Sequence, residues 1–231
     1  MPRAFDLPEQ IVQRVIRRLG RAHIHEAFDP GRTALVVIDM QNYFMAPGAP
    51  ACCDAARDVV ATVNRLAKGL RSAGAAVFWV QTEALPRSAG DWAPVYSIYS
   101  PDKQEARYAH LARGSEGFRL WPELDVRRGD EVVTKLRYSA FIQDSSDIER
   151  RLRAKGIDTL LFAGVATNVC VESSARDAMM RGFHCVMVSD TLAAPTDEEH
   201  AASLTAFYLY FGDVQSADEV LRRMAAKTAA A

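Results

Sequence analysis

The sequence lacks a large net charge and lacks any long apolar segment. Its 28 Lys and Arg residues nearly balance 29 Asp and Glu residues, which leaves a formal charge of -1 at pH 7. This balance disfavours partners held by charge, such as nucleic acid or an anionic membrane. No apolar run approaches the roughly 20 residues of a membrane span, and the N-terminal MPRAFDLPEQ has no secretory apolar region. We therefore expect a cytoplasmic protein that acts on a small molecule and binds neither nucleic acid nor membranes.

Cysteine and histidine are also scarce and scattered. The 231 residues include four Cys and five His, with no CxxC pair and no Cys/His cluster. Such spacing disfavours a structural zinc site, and the thiols of a cytoplasmic chain are expected to be reduced. The sequence therefore predicts no metal site and no cofactor.

Short apolar runs alternate with helical patterns along most of the chain. The runs, rich in β-branched residues, are TALVVID (33–39), AAVFWVQT (75–82), EVVTK (131–135), DTLLFAG (158–164) and FHCVMVSD (183–190). Helical periodicity covers 54–73, 145–155, 169–181, 197–210 and 216–227. Continuous apolar strands suit a sheet that is covered on both faces. The alternation predicts an α/β fold, a three-layer αβα sandwich with a mostly parallel central sheet.

The remaining segments suggest how the chain is divided. Residues 1–32 form a lead-in with a basic amphipathic helix, LPEQIVQRVIRRLG, and residues 33–224 form the main domain. Within it, residues 85–129 are too long for a simple connection, so we expect them to form a lid or line a pocket. Residues 225–231 are expected to fray.

Two helix starts fit the capping box, in which a Ser or Thr and a Glu three residues later bond to each other's backbone. These pairs are Ser146 with Glu149, and Thr196 with Glu199. Further on, Thr167 and Asn168 are expected to cap the helix that carries Cys170.

Reactive side chains follow several of the predicted strands. Because ligands bind at the carboxyl ends of parallel strands, these residues are the candidates for chemistry. They are Asp39, Thr82, Glu83, Lys135, Cys170 and Asp190.

Cys170 is the candidate nucleophile among them. At the start of a helix, free amides and the helix dipole favour a thiolate, and a nearby Lys135 would lower the thiol pKa further. Asp39 would accept the thiol proton and return it to a leaving amine. Each residue also has a plain structural interpretation: Cys170 as part of the core, Asp39 as a turn cap and Lys135 as a solvated strand end.

Three segments resemble the isochorismatase-like cysteine hydrolase family. They are VVIDMQNYF (36–44), KLRYSAF (135–141) and GVATNVCVESSARDAMMRGF (164–183), and the similarity spans about residues 33–215. The resemblance implies a catalytic triad of Asp39, Lys135 and Cys170. It also implies a cis peptide bond between Val165 and Ala166, and an oxyanion hole formed by the backbone amides of Ala166 and Cys170.

Within that family, the sequence is most similar to ureidoacrylate amidohydrolases, and next to N-carbamoylsarcosine amidases. This similarity implies substrate contacts at Asn42 and Tyr138 and self-association as a dimer or tetramer. Family members that cleave a vinyl ether lack the nucleophilic Cys, so Cys170 favours cleavage of a carbon-nitrogen bond. The metal-dependent nicotinamidases have a His-containing zinc cluster after the second strand, where this chain reads QTEALPRSAGDW, with no His.

Our first hypothesis is therefore an amidohydrolase that cleaves a linear amide or ureido (carbamoyl) bond of a small molecule. It would release ammonia or carbamate through a Cys170 acyl-enzyme. Two alternatives stay open: an isochorismatase-type ether hydrolase, and a non-catalytic binding module on the same fold.

Overall fold

The central feature is one parallel sheet. The structure, a computed structural model, describes residues 5–85 and 92–228. In these residues the sheet has six strands in the order β3-β2-β1-β4-β5-β6, and every adjacent pair is parallel. The strands are β1 (Thr33–Ile38), β2 (Ala76–Thr82), β3 (Glu131–Lys135), β4 (Thr159–Val165), β5 (His184–Ala193) and β6 (Asp213–Gln215). The predicted α/β class with a parallel sheet is confirmed.

Helices precede, connect and follow the strands. They are α1 (Glu9–Leu19), α2 (Asn42–Met45), α3 (Ala55–Asp58), α4 (Val60–Ala73), α5 (Ala93–Ser97), α6 (Pro101–Leu111), α7 (Ile148–Ala154), α8 (Glu172–Met180), α9 (Asp197–Tyr210) and α10 (Ala217–Thr228). A π-helical turn, Thr167–Val171, leads into α8. Across the described ranges, no helix has both the length and the apolar character needed to cross a bilayer.

The two faces of the sheet are each covered by helices. Every residue of β1 is buried. Val36 and Ile38 pack into a core with residues of α7, α8 and α9, whereas Leu35 and Val37 pack into a second core with residues of α4 and α10. Alternate residues of a strand point to opposite faces, so one apolar run supplies both cores. This arrangement makes the three layers.

The N-terminal lead-in packs onto the domain. Val15 of α1 is buried in the first core, and the Arg18 side chain donates to the Leu209 carbonyl at 2.6 Å. After α1, the buried Asp213 carboxylate accepts hydrogen bonds from the amides of Ile24 and His25 at 3.0 and 3.1 Å. Residues 5–32 are thus an integral part of the fold.

Near the C-terminus the sequence analysis missed one short strand but predicted the last helix, 216–227, which is α10. The three-residue strand β6 was not predicted, because Asp213–Gln215 contains no apolar run to mark it. At the C-terminus, α10 continues to Thr228 and so includes the first four residues of the predicted tail 225–231. Residues 229–231 lie outside the described residues.

The two predicted capping boxes have different outcomes. The box at Thr196 and Glu199 is confirmed, with both reciprocal hydrogen bonds present. The one at Ser146 and Glu149 is wrong: the Ser146 hydroxyl donates to the Ala140 carbonyl and accepts from the Ile148 amide, while Glu149 pairs with arginines. Tertiary partners therefore outcompete the local motif at α7.

The strand order reverses between β1 and β4, and this is where open α/β sheets bind ligands. Ile38 at the end of β1 is paired with Gly164 near the end of β4. Gly164 has a φ of 109°, and a Cβ atom there would lie 2.0 Å from the Ile38 carbonyl oxygen. Only glycine allows this approach, so Gly164 brings the segment after β4 against the residue that follows β1.

A buried carboxylate braces the start of β3. Asp130 accepts hydrogen bonds from Nε and Nη2 of Arg71 at 2.9 and 2.7 Å, and from the indole of the buried Trp79 at 2.8 Å. Burial by itself would raise the pKa of Asp130, but these bonds and one from the Arg127 amide hold it below its ordinary value. Asp130 thus ties the edge strand β3 to α4 and β2.

We predict that Asp130→Ala lowers the free energy of unfolding at pH 7 by about 3 kcal/mol, because it leaves the buried Trp79 indole N–H without its acceptor and leaves the Arg71 guanidinium with Asp125 alone. Urea denaturation measures the loss. The pKa of Asp130 is lower in the folded than in the unfolded protein. The stabilisation is therefore fully present above the unfolded pKa and is lost as the pH falls through the folded pKa. The wild-type advantage should therefore shrink in acid.

The matched control is Asp218→Ala. Asp218 pairs with Arg65, and both side chains are at least half exposed. Such a pair contributes less than about 1 kcal/mol. Equal losses in the two variants would contradict the role assigned to Asp130.

Candidate active site

Asp39, Lys135 and Cys170 meet at the carboxyl edge of the sheet. Asp39 follows β1 with a φ of 54°, Lys135 ends β3, and Cys170 lies in the π-helical turn after β4. Lys135 Nζ is 2.8 Å from Asp39 Oδ2, and both side chains are fully buried. Burial raises the pKa of the Cys170 thiol, on which the charges of Lys135 and Asp39 act in opposite directions. The structure therefore brings together the three residues proposed from the sequence.

The buried Lys135 ammonium makes two hydrogen bonds and one ion pair. It donates to the Thr82 hydroxyl at 2.6 Å and to the Arg137 carbonyl at 3.0 Å, and it faces the Asp39 carboxylate. The Thr82 hydroxyl in turn donates to Asp39 Oδ1 at 2.8 Å. A buried ion pair is tolerated only when the remaining polar atoms are satisfied in this way.

Gln41 holds the two strand ends that carry Asp39 and Thr82. Its side-chain amide donates to the carbonyls of Thr82 and Phe118 at 3.0 and 2.8 Å, and its oxygen accepts from the Thr82 amide at 2.7 Å. Gln41 thus bonds to backbone and sets the Asp39 geometry through the strand ends.

The Cys170 thiol is protonated at rest, contrary to the thiolate expected from its place at a helix start. Burial raises the pKa of Cys170 to about 12. The positive charges of Lys135 and Arg107 lower this pKa, whereas the negative charge of Asp39 raises it. Desolvation outweighs the two cations, so the proton stays on sulfur, next to a carboxylate that can receive it.

The loop before Cys170 has the backbone conformation that the family resemblance implied. The Val165–Ala166 peptide bond is cis. The Ala166 carbonyl accepts from the amides of Val169 and Val171 at 3.1 and 3.2 Å, so this oxygen is turned into the helix. Within the described ranges, the Ala166 amide has no hydrogen-bond acceptor.

The predicted side-chain caps at Thr167 and Asn168 are wrong. The Thr167 hydroxyl is hydrogen-bonded to Nδ1 of His200 at 2.9 Å, and the buried Asn168 carbonyl oxygen has no hydrogen bond in the described part of the chain. The π-helical turn starts without a side-chain cap. Thr167 instead links this turn to α9.

The Cys170 thiol borders a cavity of about 260 Å³. Most of its lining is apolar or aromatic, which is typical of a small-molecule site. The lining residues are Phe44, Ala51, Cys53, Thr82, Tyr99, Arg107, Tyr138, Val165, Ala166, Val169, Cys170 and Pro195. Tyr99 and Arg107 come from residues 85–129, so this segment does line a pocket; residues 86–91 lie outside the described residues.

The two predicted substrate contacts have different positions. Tyr138 lines the cavity, with its hydroxyl 3.4 Å from that of Tyr99. Burial and this hydrogen bond raise the pKa of Tyr138, so its phenol remains a donor at neutral pH. Asn42 does not line the cavity, because its side-chain amide donates to the Glu116 carbonyl and carboxylate at 2.9 and 3.0 Å.

Two other strand-end candidates lie apart from Cys170. Glu83 pairs with Arg113 at 2.7 Å, and Asp190 accepts from the Ala217 amide at 2.7 Å. Asp190 is displaced because β5 continues to Ala193 with a shifted register against β4.

Two residues of the site had no role in the sequence prediction. Thr82 was noted as a strand-end residue, but nothing in the sequence showed that its hydroxyl bridges Asp39 and Lys135. Arg107 lies four residues before the buried Leu111, so the helical period favours the same face, but it does not reveal a buried cation.

Comparison with known sequences gives a consistent result. Residues 33–219 match the family described as Isochorismatase domain. Ureidoacrylate amidohydrolase RutB of Pseudomonas syringae pv. syringae is 35% identical over 204 residues, which cover 82% of this chain and 82% of that protein.

Solved structures share the fold. A cysteine hydrolase from Pseudomonas syringae pv. phaseolicola has a TM-score of 0.78 at 28% identity, covering 86% of this chain and 95% of its own. N-carbamoylsarcosine amidase from Thermoplasma acidophilum has a TM-score of 0.65 at 26% identity, covering 81% of this chain and 97% of its own. With a domain match over most of its length, this chain belongs to the isochorismatase family.

Proposed function

We propose that the protein is a cysteine-dependent amidohydrolase that cleaves a linear amide or ureido carbon-nitrogen bond of a small molecule. The observation that carries this proposal is the buried ion pair of Lys135 and Asp39 at the carboxyl edge of the sheet, where Cys170 lines a small cavity. The names of its relatives, ureidoacrylate amidohydrolase and N-carbamoylsarcosine amidase, agree with this bond type.

The first half of the reaction forms an acyl-enzyme. Cys170 sulfur attacks the substrate carbonyl carbon while its proton passes to Asp39, so the thiolate exists only as the carbon-sulfur bond forms. The carbonyl oxygen becomes an oxyanion, to which the amides of Ala166 and Cys170 donate. Asp39 then protonates the leaving nitrogen, and the carbon-nitrogen bond breaks.

The second half restores the thiol. Asp39, again a carboxylate, takes a proton from water, and the hydroxide attacks the thioester carbonyl. The carbon-sulfur bond breaks, and the proton returns to sulfur. A primary amide yields ammonia and an acid, whereas a ureido group yields an amine and carbamate, or ammonia and a substituted carbamate.

Lys135 supplies a fixed positive charge throughout these steps. When the thiol proton moves to Asp39, the negative charge moves from the carboxylate to sulfur, and the ammonium offsets it in a low-dielectric site. The Thr82 hydroxyl bonds to both the Lys135 ammonium and the Asp39 carboxylate, so it fixes their relative positions. Thr82 therefore acts as a positioning residue.

The first test examines the proposed catalytic roles of Cys170 and Asp39. Cys170→Ala and Asp39→Asn should each lower kcat/KM for a ureido acid or primary amide by at least about 1000-fold, because each removes a group that bonds or moves a proton in the reaction. Ammonia release measures turnover, and intact mass after quenching detects an acyl group on Cys170.

Cys52→Ala is the matched control, since Cys52 is a second thiol that does not line the cavity. Full activity in either triad variant would disprove the mechanism. Release of pyruvate from isochorismate, with no ammonia from amides, would instead indicate the ether hydrolase. No turnover of any substrate would indicate the binding module.

The second test examines the positioning role proposed for the Thr82 hydroxyl. Thr82→Val keeps the side-chain shape but removes the hydrogen bonds to Lys135 and Asp39, and we expect kcat to fall by about 10- to 100-fold with a shifted pH profile. Thr82→Ser keeps the hydroxyl and should retain most of the activity. Equal kinetics and pH profiles in the Val and Ser variants would contradict the positioning role.

The third test examines whether the Cys170 thiol is protonated before substrate binds. With a thiol pKa of about 12, iodoacetamide should alkylate Cys170 slowly at pH 7 and faster as pH rises toward that value. Asp39→Asn removes a negative charge that raises this pKa, so alkylation at pH 7 should become faster even though turnover is lost. Mass spectrometry of the modified peptide measures the rate, and slower alkylation of the variant would refute the resting thiol.

A further inference from the structure

Arg107 is a buried cation in the Cys170 cavity. It lies in α6, its residue is 6% exposed, and it lines the cavity together with Tyr99 and Tyr138. It is the one charged residue in the lining of that cavity within the described ranges, and no carboxylate borders the cavity there.

Arg107 has no acidic partner among the described residues. Burial raises the pKa of the nearby Tyr43 phenol, and the charge of Arg107 lowers it. Glu83 borders a small adjoining cavity with Arg107, but the Glu83 carboxylate is engaged by Arg113 at 2.7 Å. Most other arginines with buried or half-buried contacts, such as Arg71, bind carboxylates of the same chain.

A guanidinium in this position is costly unless an anion meets it. It stays charged at physiological pH, and a buried charge requires a partner of opposite sign. The planar fork of its N–H groups matches a carboxylate through two parallel hydrogen bonds. Since the residues that the structure describes place no such anion in the cavity lining, the ligand is the natural source.

The charge of Arg107 also acts on the reacting groups. Burial raises the pKa of Cys170 and of Tyr138, and the positive charge of Arg107 opposes both increases. Arg107 and the thiol therefore face one and the same small space. A molecule bound to the guanidinium would lie within the cavity that the thiol borders.

We propose that Arg107 binds a carboxylate of the substrate, at the end away from the scissile carbonyl, and so selects anionic amides or ureido acids over neutral ones. This inference rests on the proposed function, because it assumes that Cys170 attacks a molecule in this cavity. It assigns substrate selectivity to a residue of the 85–129 segment, outside the segments that carry the triad.

Binding to a variant that cannot turn over tests the inference directly. In the Cys170→Ser background, isothermal titration compares N-carbamoylglycine with its neutral carboxamide, which differs only at the anionic end. We expect the acid to bind about 10- to 100-fold more tightly, the range for charge-assisted hydrogen bonds at a buried site. Adding Arg107→Gln should remove this preference and leave binding of the carboxamide within a few-fold.

Two further variants complete the design. Arg113→Gln is the matched control, since Arg113 is exposed and paired with Glu83, and it should keep the full preference. Arg107→Lys keeps the positive charge but loses the planar pair of N–H donors of the guanidinium. It also provides a test if the Arg107→Gln protein does not fold. It should weaken binding of the acid about 10-fold and spare the carboxamide; equal weakening of both ligands would overturn the inference.

The outcomes separate this inference from the proposed reaction. Equal affinity of the Cys170→Ser protein for acid and carboxamide, or a preference that survives Arg107→Gln, overturns the role of Arg107. If the preference depends on Arg107 but the wild-type protein releases no ammonia from any amide, the carboxylate site stands and the reaction fails. Turnover without a preference for acids leaves the reaction standing and removes the inference.

Discussion

The buried ion pair between Lys135 and Asp39 is the constraint on which the site depends. Two charges without solvent are stable only if their geometry and remaining hydrogen bonds are satisfied, and here Thr82 and a backbone carbonyl complete the set. This requirement fixes the relative positions of the ends of β1, β2 and β3. The strand packing and the bracing carboxylate of Asp130 therefore serve the chemistry as well as stability.

The same burial determines the resting state of the nucleophile. Burial is the main reason that the thiol pKa rises, and the adjacent Asp39 carboxylate raises it further. In the proposed mechanism the same carboxylate receives the thiol proton. Such a site holds little reactive thiolate until a carbonyl carbon is in place. Reactivity then depends on the substrate filling the cavity, and a substrate carboxylate at Arg107 would provide both orientation and charge balance.

The strand order explains why these groups meet. At the reversal between β1 and β4, Gly164 allows close approach to Ile38, so the turn that carries Cys170 lies against Asp39. The long segment between β2 and β3 contributes Arg107 to the lining of the same cavity. The proposed triad thus comes from residues at or after strand ends, and the proposed selectivity comes from the long segment between β2 and β3.

The sequence by itself determined the elements whose signals are local. Continuous apolar runs marked five strands, Thr196 with Glu199 marked a helix start, and the segments around Asp39, Lys135 and Cys170 marked the family and the proposed triad. Only the tertiary structure decided the protonation of Cys170, the bridging role of Thr82, the position of Asn42 outside the cavity and the burial of Arg107. These properties depend on contacts between residues far apart in the chain, such as Thr82 with Lys135, 53 positions away. Desolvation and charge pairing arise only when the folded chain brings such groups together.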